Sequence, residues 1–395
     1  MTIYVDCTLS HGRAITTGIQ RVVKKIIQHQ PEQKFKIIPV RFDGRDFIKI
    51  KSERIHTSSY FSRFVQYCKD ALVATWFYLQ IKKSYLLLAK GFEFLSRSLH
   101  NNEAIRFEKG DVLLIADLIH SEQYVKKLAG LKTTGHSIYQ IAYDILPITF
   151  PDFFHKDDVD RFHKIVNSWP LYVKKIYAIS KKVAHEIKGL NPALDVDYFY
   201  LGTDISNSSP QNELKIDFLK NSYFLSVGTI EPRKNHLHIM ATFRKLWASG
   251  SDAKLVFVGR LGWKMEGIIS EIEKLSIEYP DKFLWRKNVS DDELNAYYRN
   301  TKAVICASYD EGYGLPIVEA LTNGASVICS DIPVFREIGS ENCTYFSFDM
   351  ESVNSLYRLL LEGRYIKSAS NFKQITWQQA VTDLLGKIEK DALHC

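Results

Sequence analysis

Ala303-Val304-Ile305-Cys306-Ala307-Ser308-Tyr309-Asp310-Glu311-Gly312-Tyr313-Gly314-Leu315-Pro316-Ile317-Val318-Glu319-Ala320 reads as a short buried strand, a glycine turn and the opening of a helix. The apolar run Ala303–Cys306 has the length and composition of a strand covered on both faces. Pro316 suits the first helical position, where a missing N–H costs nothing. Gly312 and Gly314 let the backbone turn tightly and approach a ligand closely. The amides that open such a helix favour an anion. Glu311 precedes the helix and Glu319 lies a turn inside it, so the two carboxylates reach past a bound phosphate in opposite directions. A phosphate-bearing ligand with hydroxyls at both ends satisfies this arrangement, and a nucleotide-sugar is such a ligand.

Strand and helix alternate in the same way on both sides of this unit, which predicts parallel sheets with crossover helices. In the first half the expected strands are Ile3–Asp6, Phe35–Arg41, Asp111–Ala116, Ile138–Tyr143, Ile176–Ile179 and Tyr198–Leu201. A second series runs Tyr223–Val227, Leu255–Val258, Phe283–Trp285, Ala303–Cys306, Val327–Ser330 and Thr344–Phe346, with helices at His236–Trp247, Asp291–Asn300 and Pro316–Thr322. The polar stretch from Thr203 to Asn212 has the composition of a linker. The expected fold class is therefore α/β, with two doubly wound Rossmann-like domains. The first spans 1–204 and is completed by a C-terminal helix, 376–395; a linker covers 205–222; the second spans 223–375. Ligands of such sheets bind beyond the carboxyl ends of the strands, which places the expected site in a cleft where the two domains face each other.

A second chemical cluster, Ser226-Val227-Gly228-Thr229-Ile230-Glu231-Pro232-Arg233-Lys234-Asn235, puts two adjacent cations after a strand and a small-residue turn. Arg233 can fork onto phosphate oxygens while Lys234 supplies a point charge.

Glu311 and Glu319, embedded in E-G-Y-G-L-P-I-V-E-A, resemble the E-x7-E signature of retaining GT-B glycosyltransferases, specifically the mannosyltransferase-like group of family 4. The G-T-x-E-P-R-K-N turn of that group is matched by Gly228 to Asn235, its V-G-x-x-G-W turn by Val258 to Trp263, and its S-D-I-P-V-F-R-E segment by Ser330 to Glu337. The likeness covers most of residues 220–350. It is weaker in the first half, where Thr17-Gly18-Ile19-Gln20-Arg21, Tyr143-Asp144-Ile145-Leu146-Pro147 and Leu201-Gly202-Thr203-Asp204 still resemble the group. The resemblance implies that Arg233 and Lys234 bind the donor diphosphate beside Gly228 and Thr229. It implies that Glu319 binds the ribose, and that Glu311 with the amides of Gly312, Tyr313, Gly314 and Leu315 holds the transferred sugar. Gly18, opening a helix from about Gly18 to Gln28, would let the first loop approach the diphosphate. Asp144 is a further catalytic candidate, although Tyr143 stands where many relatives carry histidine. His120, just beyond a strand, is either a sugar-pocket residue or a structural histidine. On these assignments Glu311→Gln lowers turnover and leaves affinity for free nucleoside diphosphate nearly unchanged.

No essential metal or other cofactor is expected. Asp195-Val-Asp197 and Asp158-Val-Asp160 look like D-x-D metal motifs, but the first enters a strand and the second lies in a helical stretch, and both read as solvated carboxylates. The expected partners are the nucleotide-sugar donor and a lipid-linked or growing polysaccharide acceptor. A nucleotide-sugar 2-epimerase of the same build, or an inactive scaffold of a polysaccharide assembly complex, are the alternatives.

Charge adds a clue about the acceptor side. Residues 1–205 carry 30 Lys and Arg against 21 Asp and Glu, and the remainder 22 against 24, so the N-terminal half holds all of the basic excess behind the net charge of +7. No nucleic-acid module is recognisable. A phosphorylated acceptor, an anionic membrane surface or a plain solvated surface accounts for the excess. Residues 60–99 carry apolar residues at helical spacing (Phe61, Val65, Cys68, Leu72, Trp76, Leu79), then Lys82, Lys83, Lys90 and Arg97 among aromatics. Such helices either lie on an anionic membrane or cap the N-terminal sheet. No run reaches the roughly 20 apolar residues of a membrane span, and the start Met1-Thr2-Ile3-Tyr4-Val5-Asp6 reads as a strand and not as a signal peptide. The six cysteines show no C-x-x-C pair, and Cys306 and Cys329 sit in apolar runs as core thiols. That usage fits the cytoplasm, with peripheral attachment to the inner face of the cytoplasmic membrane as the further expectation.

Overall fold

Thirteen strands and the helices that cross between them account for the described residues, which in the computed structural model are 1–11, 18–29, 35–50, 104–118, 121–204, 223–348, 352–366 and 372–393. The strands are β1 (Thr2–Asp6), β2 (Lys36–Phe42), β3 (Phe47–Lys49), β4 (Val112–Ile115), β5 (Ser137–Ala142), β6 (Lys175–Ala178), β7 (Val196–Tyr198), β8 (Tyr223–Val227), β9 (Lys254–Val258), β10 (Phe283–Arg286), β11 (Thr301–Cys306), β12 (Val327–Ser330) and β13 (Thr344–Phe346). The helices used below are α1 (Gly18–Gln28), α2 (Glu122–Thr133), α3 (Lys156–Tyr172), α4 (Lys181–Leu190), α5 (His236–Ala248), α6 (Glu266–Glu278), α7 (Asp291–Asn300), α8 (Leu315–Thr322), α9 (Pro333–Gly339), α10 (Ser352–Glu362) and α11 (Trp377–Leu393). The segments 60–99 and 205–222 and residue His120 lie outside the described residues.

The first sheet has the order β3-β2-β1-β4-β5-β6-β7 and the second β10-β9-β8-β11-β12-β13. Strands β8 to β13 pair in parallel, and so do β1, β2, β4 and β5. In both sheets the strand order reverses direction beside the first strand of the series, at β1/β4 and at β8/β11. Ligands of doubly wound sheets bind at such switch points.

Contacts divide the chain into two compact units. One comprises Met1–Ile141, Lys164–Tyr177 and Val381–Cys395, the other Ala142–His163 and Ala178–Ala380. Residues 142–163 and 178–204, expected with the N-terminal half, thus group with the second unit. The reason lies in side chains that follow β5 and β6. Trp263 Nε1 donates to Phe153 O at 2.8 Å, Ser180 Oγ to Gly312 O at 2.8 Å, and Lys182 Nζ to Asp310 Oδ2 at 2.5 Å. The end of α11 belongs to the first unit, where Asp391 pairs with Lys175 at 2.8 Å.

Two further departures from the sequence reading concern strands. The β3 hairpin was not anticipated, although Asp43-Gly44 between apolar runs is a turn signal. The Asp43 carboxylate accepts from Arg45 N and Asp46 N, and Gly44 takes φ +104°. The strand expected at Tyr198–Leu201 lies at Val196–Tyr198 instead. Phe199 and Leu201 are buried for another reason: Tyr313 donates its hydroxyl to Leu201 O at 2.8 Å, and Tyr200 packs on the Tyr313 ring. Burial against a loop and burial in a ladder leave the same apolar pattern in sequence.

The second sheet shows why its strands read so clearly. Side chains alternate across the pleat, so Tyr223 and Leu225 enter one core with Val256, Val304 and Ile317, while Phe224 enters the other with Phe243, Phe257 and Ile305. Both faces are dry, and near-continuous apolar runs result. Cys306, Cys329 and Cys343 are free thiols buried in the core that holds Tyr223 and Leu225, and Cys7 is a free buried thiol beside the first sheet.

Candidate functional site

The loops leaving β8 and β11 meet at the switch point of the second sheet, and their side chains make the candidate site. After β8, Pro232–Lys234 form one turn of 3-10 helix that Asn235 ends in the left-handed conformation, φ +54°. Asparagine tolerates that region better than most residues. The turn points Arg233 and Lys234 to the same side, and Tyr309 N binds Arg233 O at 2.9 Å, which ties it to the loop after β11.

That second loop carries Glu311. Its carboxylate, 7% exposed, accepts Arg233 Nη1 at 2.6 Å on Oε2, with Lys234 and Ser308 Oγ (2.8 Å) on Oε1. Burial alone would push the Glu311 carboxyl up, but the charges of Arg233 and Lys234 outweigh it and hold the group at about 2. Arg233 is gripped from the other side by Glu231, at 2.6 Å and 1% exposed. Burial disfavours its charge, yet Glu311, Glu231 and Asp144 together raise its affinity for the proton. Asp144 is drawn into the same cluster. Burial raises its carboxyl, opposed by Arg233 and by the Leu146 amide that binds it at 3.1 Å.

Gly312 explains how the Tyr143-Asp144 segment comes so near. A Cβ added at Gly312 would lie 1.9 Å from Tyr143 O and 3.2 Å from Asp144 Cβ. Gly314, at φ +104°, is the N-cap of α8. The helix begins at Leu315, one residue earlier than expected, with Pro316 one position inside. The first amides of any helix lack intrahelical partners, so those of α8 favour an anion placed before them. Gly312→Ala should destabilise the second unit by about 1–3 kcal/mol and abolish activity, because overpacking is relieved only by moving backbone. Chemical unfolding checks this, and a wild-type midpoint in the alanine variant would show that the close approach is dispensable.

Glu319 is half-buried on α8, where it accepts the Tyr298 hydroxyl from α7 at 2.9 Å. A small pocket is lined by Lys234, Ser308, Glu311, Gly314 and Pro316. Its wall includes His236, which burial above all, then Lys234, holds neutral at about 3. Gly228 and Thr229 stand at the end of β8, Thr229 exposed. Tyr313 is buried, its hydroxyl donated to Leu201 O. Gly18 opens α1 as expected, in the first unit, and His120 is outside the described residues. Among the described residues no cluster of three or more His, Cys, Asp or Glu could hold a metal.

Two residues were missed by the sequence reading. Lys182, from α4, places its ammonium on Asp310 (2.5 Å), Glu186 (2.9 Å) and Glu311 O (3.4 Å), and Asp310 Oδ1 in turn accepts Glu311 N at 2.7 Å. Lys182 thereby fixes the backbone of Glu311. Nothing local marks it, because Lys181-Lys182 reads as a solvated helix start. Glu337 is the second, accepting Lys181 N and Lys182 N at the start of α4, at 2.7 and 2.9 Å.

Residues 211–374 match the family Glycosyl transferases group 1. The chain is 29% identical over 307 residues to the serotype-specific mannosyltransferase WbdA of Escherichia coli, covering 72% of this chain and 38% of that protein. It therefore spans well under half the length of that relative. It is 30% identical over 225 residues to the O-antigen chain mannosyltransferase RfbU of Salmonella typhimurium, covering 55% of this chain and 61% of the relative. The crystal structure of Anabaena Alr3699/HepE with UDP and glucose superposes with a TM-score of 0.64 at 12% identity, over 98% of this chain and 99% of that one. Sucrose-phosphate synthase from Thermosynechococcus elongatus gives 0.60 at 14% identity, over 100% and 96%. The fold is GT-B.

Proposed function

We propose, from the match of residues 211–374 to the group 1 glycosyltransferases, that this chain moves a hexosyl group from a nucleotide-sugar to a lipid-linked or polysaccharide acceptor, with retention of anomeric configuration and without an essential metal. The observation that carries the reading is the pair Arg233 and Lys234 converging on Glu311 before the first amides of α8, at the switch point of the second sheet. Mannose from GDP-mannose is the proposed donor, supported by the mannosyltransferase names of the two relatives.

Cleavage of the sugar–phosphate bond builds negative charge on the departing diphosphate. Arg233, Lys234 and the α8 amides stand ready to stabilise it, and preorganised electrostatics of this kind is usually the largest catalytic factor. The departing phosphate oxygen accepts the proton of the acceptor hydroxyl. Glu311 faces the sugar and Glu319 the ribose. A screen of the purified chain for binding and hydrolysis of GDP-, UDP- and dTDP-sugars tests the reading: GDP-mannose should bind and hydrolyse in preference, and failure to bind any nucleotide-sugar would overturn it. The anomer released, read by NMR, tests retention.

Activity should survive EDTA. The Asp158 carboxylate pairs with Arg161, and Asp197 accepts the amide of Tyr198, which supports reading them as ordinary carboxylates. Complete loss on chelation, restored by magnesium or manganese, would assign a metal to one of the two aspartate pairs.

Among the described residues no helix is long and apolar enough to cross a membrane. Attachment to an anionic inner membrane face belongs to this proposal through residues 60–99 and the basic N-terminal half.

A further inference from the structure

Both oxygens of Glu311 are occupied by the cations that the donor diphosphate needs. Oε2 binds Arg233 and Oε1 binds Lys234. An arriving diphosphate therefore meets cations that are already neutralised, and a carboxylate beside it that repels it. Glu311 for its part has little acceptor capacity left for sugar hydroxyls, since Oε1 already takes Lys234 and Ser308 and Oε2 takes Arg233. Glu231 differs. It holds Arg233 from the buried side, 1% exposed, and takes no part in lining the pocket, whereas Glu311 lines it together with Lys234.

We propose that Glu311 is the internal counter-anion of the diphosphate site: a bound diphosphate displaces it from Arg233 and Lys234, and only then does it turn to the sugar. Glu231 keeps Arg233 in place through the exchange. The Glu311 backbone is fixed meanwhile by Asp310 and Lys182, so the side chain alone moves. Diphosphate capture and presentation of the carboxylate to the sugar become one event. Small anions that cannot displace Glu311 are rejected, because they replace fewer charge-assisted bonds than they break. Protonation does not release the pair near neutral pH, since the same cations hold the Glu311 carboxyl far below that range.

The inference rests on the donor-site reading only for the identity of the anion, so inorganic pyrophosphate is the first probe. The full chain and Glu311→Gln are titrated calorimetrically with pyrophosphate, GDP and UDP at fixed ionic strength. Removal of the competing charge should tighten pyrophosphate binding by roughly ten- to a hundredfold, the worth of one charge-assisted hydrogen bond. Equal or weaker binding by Glu311→Gln overturns the proposal. If Glu311→Gln does not fold, Glu311→Asp, whose carboxylate reaches the cations less well, should still bind pyrophosphate more tightly than wild type, and equal or weaker binding is again fatal. Tighter pyrophosphate binding with no affinity for either nucleotide would uphold the counter-anion and sink the nucleotide-sugar reading. Nucleotide binding that is identical in wild type and variant would do the reverse.

Discussion

Arg233→Ala and Lys234→Ala should each reduce turnover by about two to three decades, as deletion of one preorganised donor does elsewhere, and should weaken binding of the nucleotide-sugar. The two variants should differ in stability. Removing Arg233 strips the partner from Glu231, a carboxylate that burial already makes reluctant to ionise. An uncompensated buried charge costs about 3–5 kcal/mol, so Arg233→Ala should melt well below wild type. Lys234→Ala leaves Glu311 paired with Arg233 and should melt closer to it. Calorimetry and thermal unfolding on the same preparations separate the two effects. Unchanged donor affinity in both variants would remove these residues from the site.

The second large effect separates the two glutamates. Glu311→Gln should lower kcat by orders of magnitude, because the neutral amide cannot face the positive charge that develops on the sugar ring. Glu319→Ala should instead weaken binding of free nucleoside diphosphate by roughly one to two decades, the loss of one charge-assisted hydrogen bond. The assignment fits their surroundings: Glu311 is held by cations, while Glu319, on α8, accepts a tyrosine hydroxyl from α7. Turnover and diphosphate titrations of both variants decide it. A fully active Glu311→Gln, or the reverse pattern of effects, would show that the roles are misassigned even with the enzyme class intact.

The sequence by itself determined the strands of the second sheet and marked the two loops that meet at its switch point. Tyr223–Val227 and Val327–Ser330 were legible to the residue because central strands buried on both faces are written as near-continuous apolar runs, and the edge strand Thr344–Phe346 was legible from its β-branched and aromatic residues. The two loops were legible because glycine, proline and paired charges at a strand end have few other uses. Only the tertiary structure decided what those charges do to one another. The pairs Arg233–Glu311 and Lys234–Glu311 join residues 78 and 77 positions apart, and Lys182–Asp310 spans 128. Pairing across such distances depends on where β6, β8 and β11 end in space, and no local pattern encodes that. From sequence, Glu311→Gln leaves diphosphate affinity nearly unchanged. With the carboxylate seated on both cations, the same substitution is expected to raise it, because a buried charge is defined by its neighbours and they arrive from distant parts of the chain.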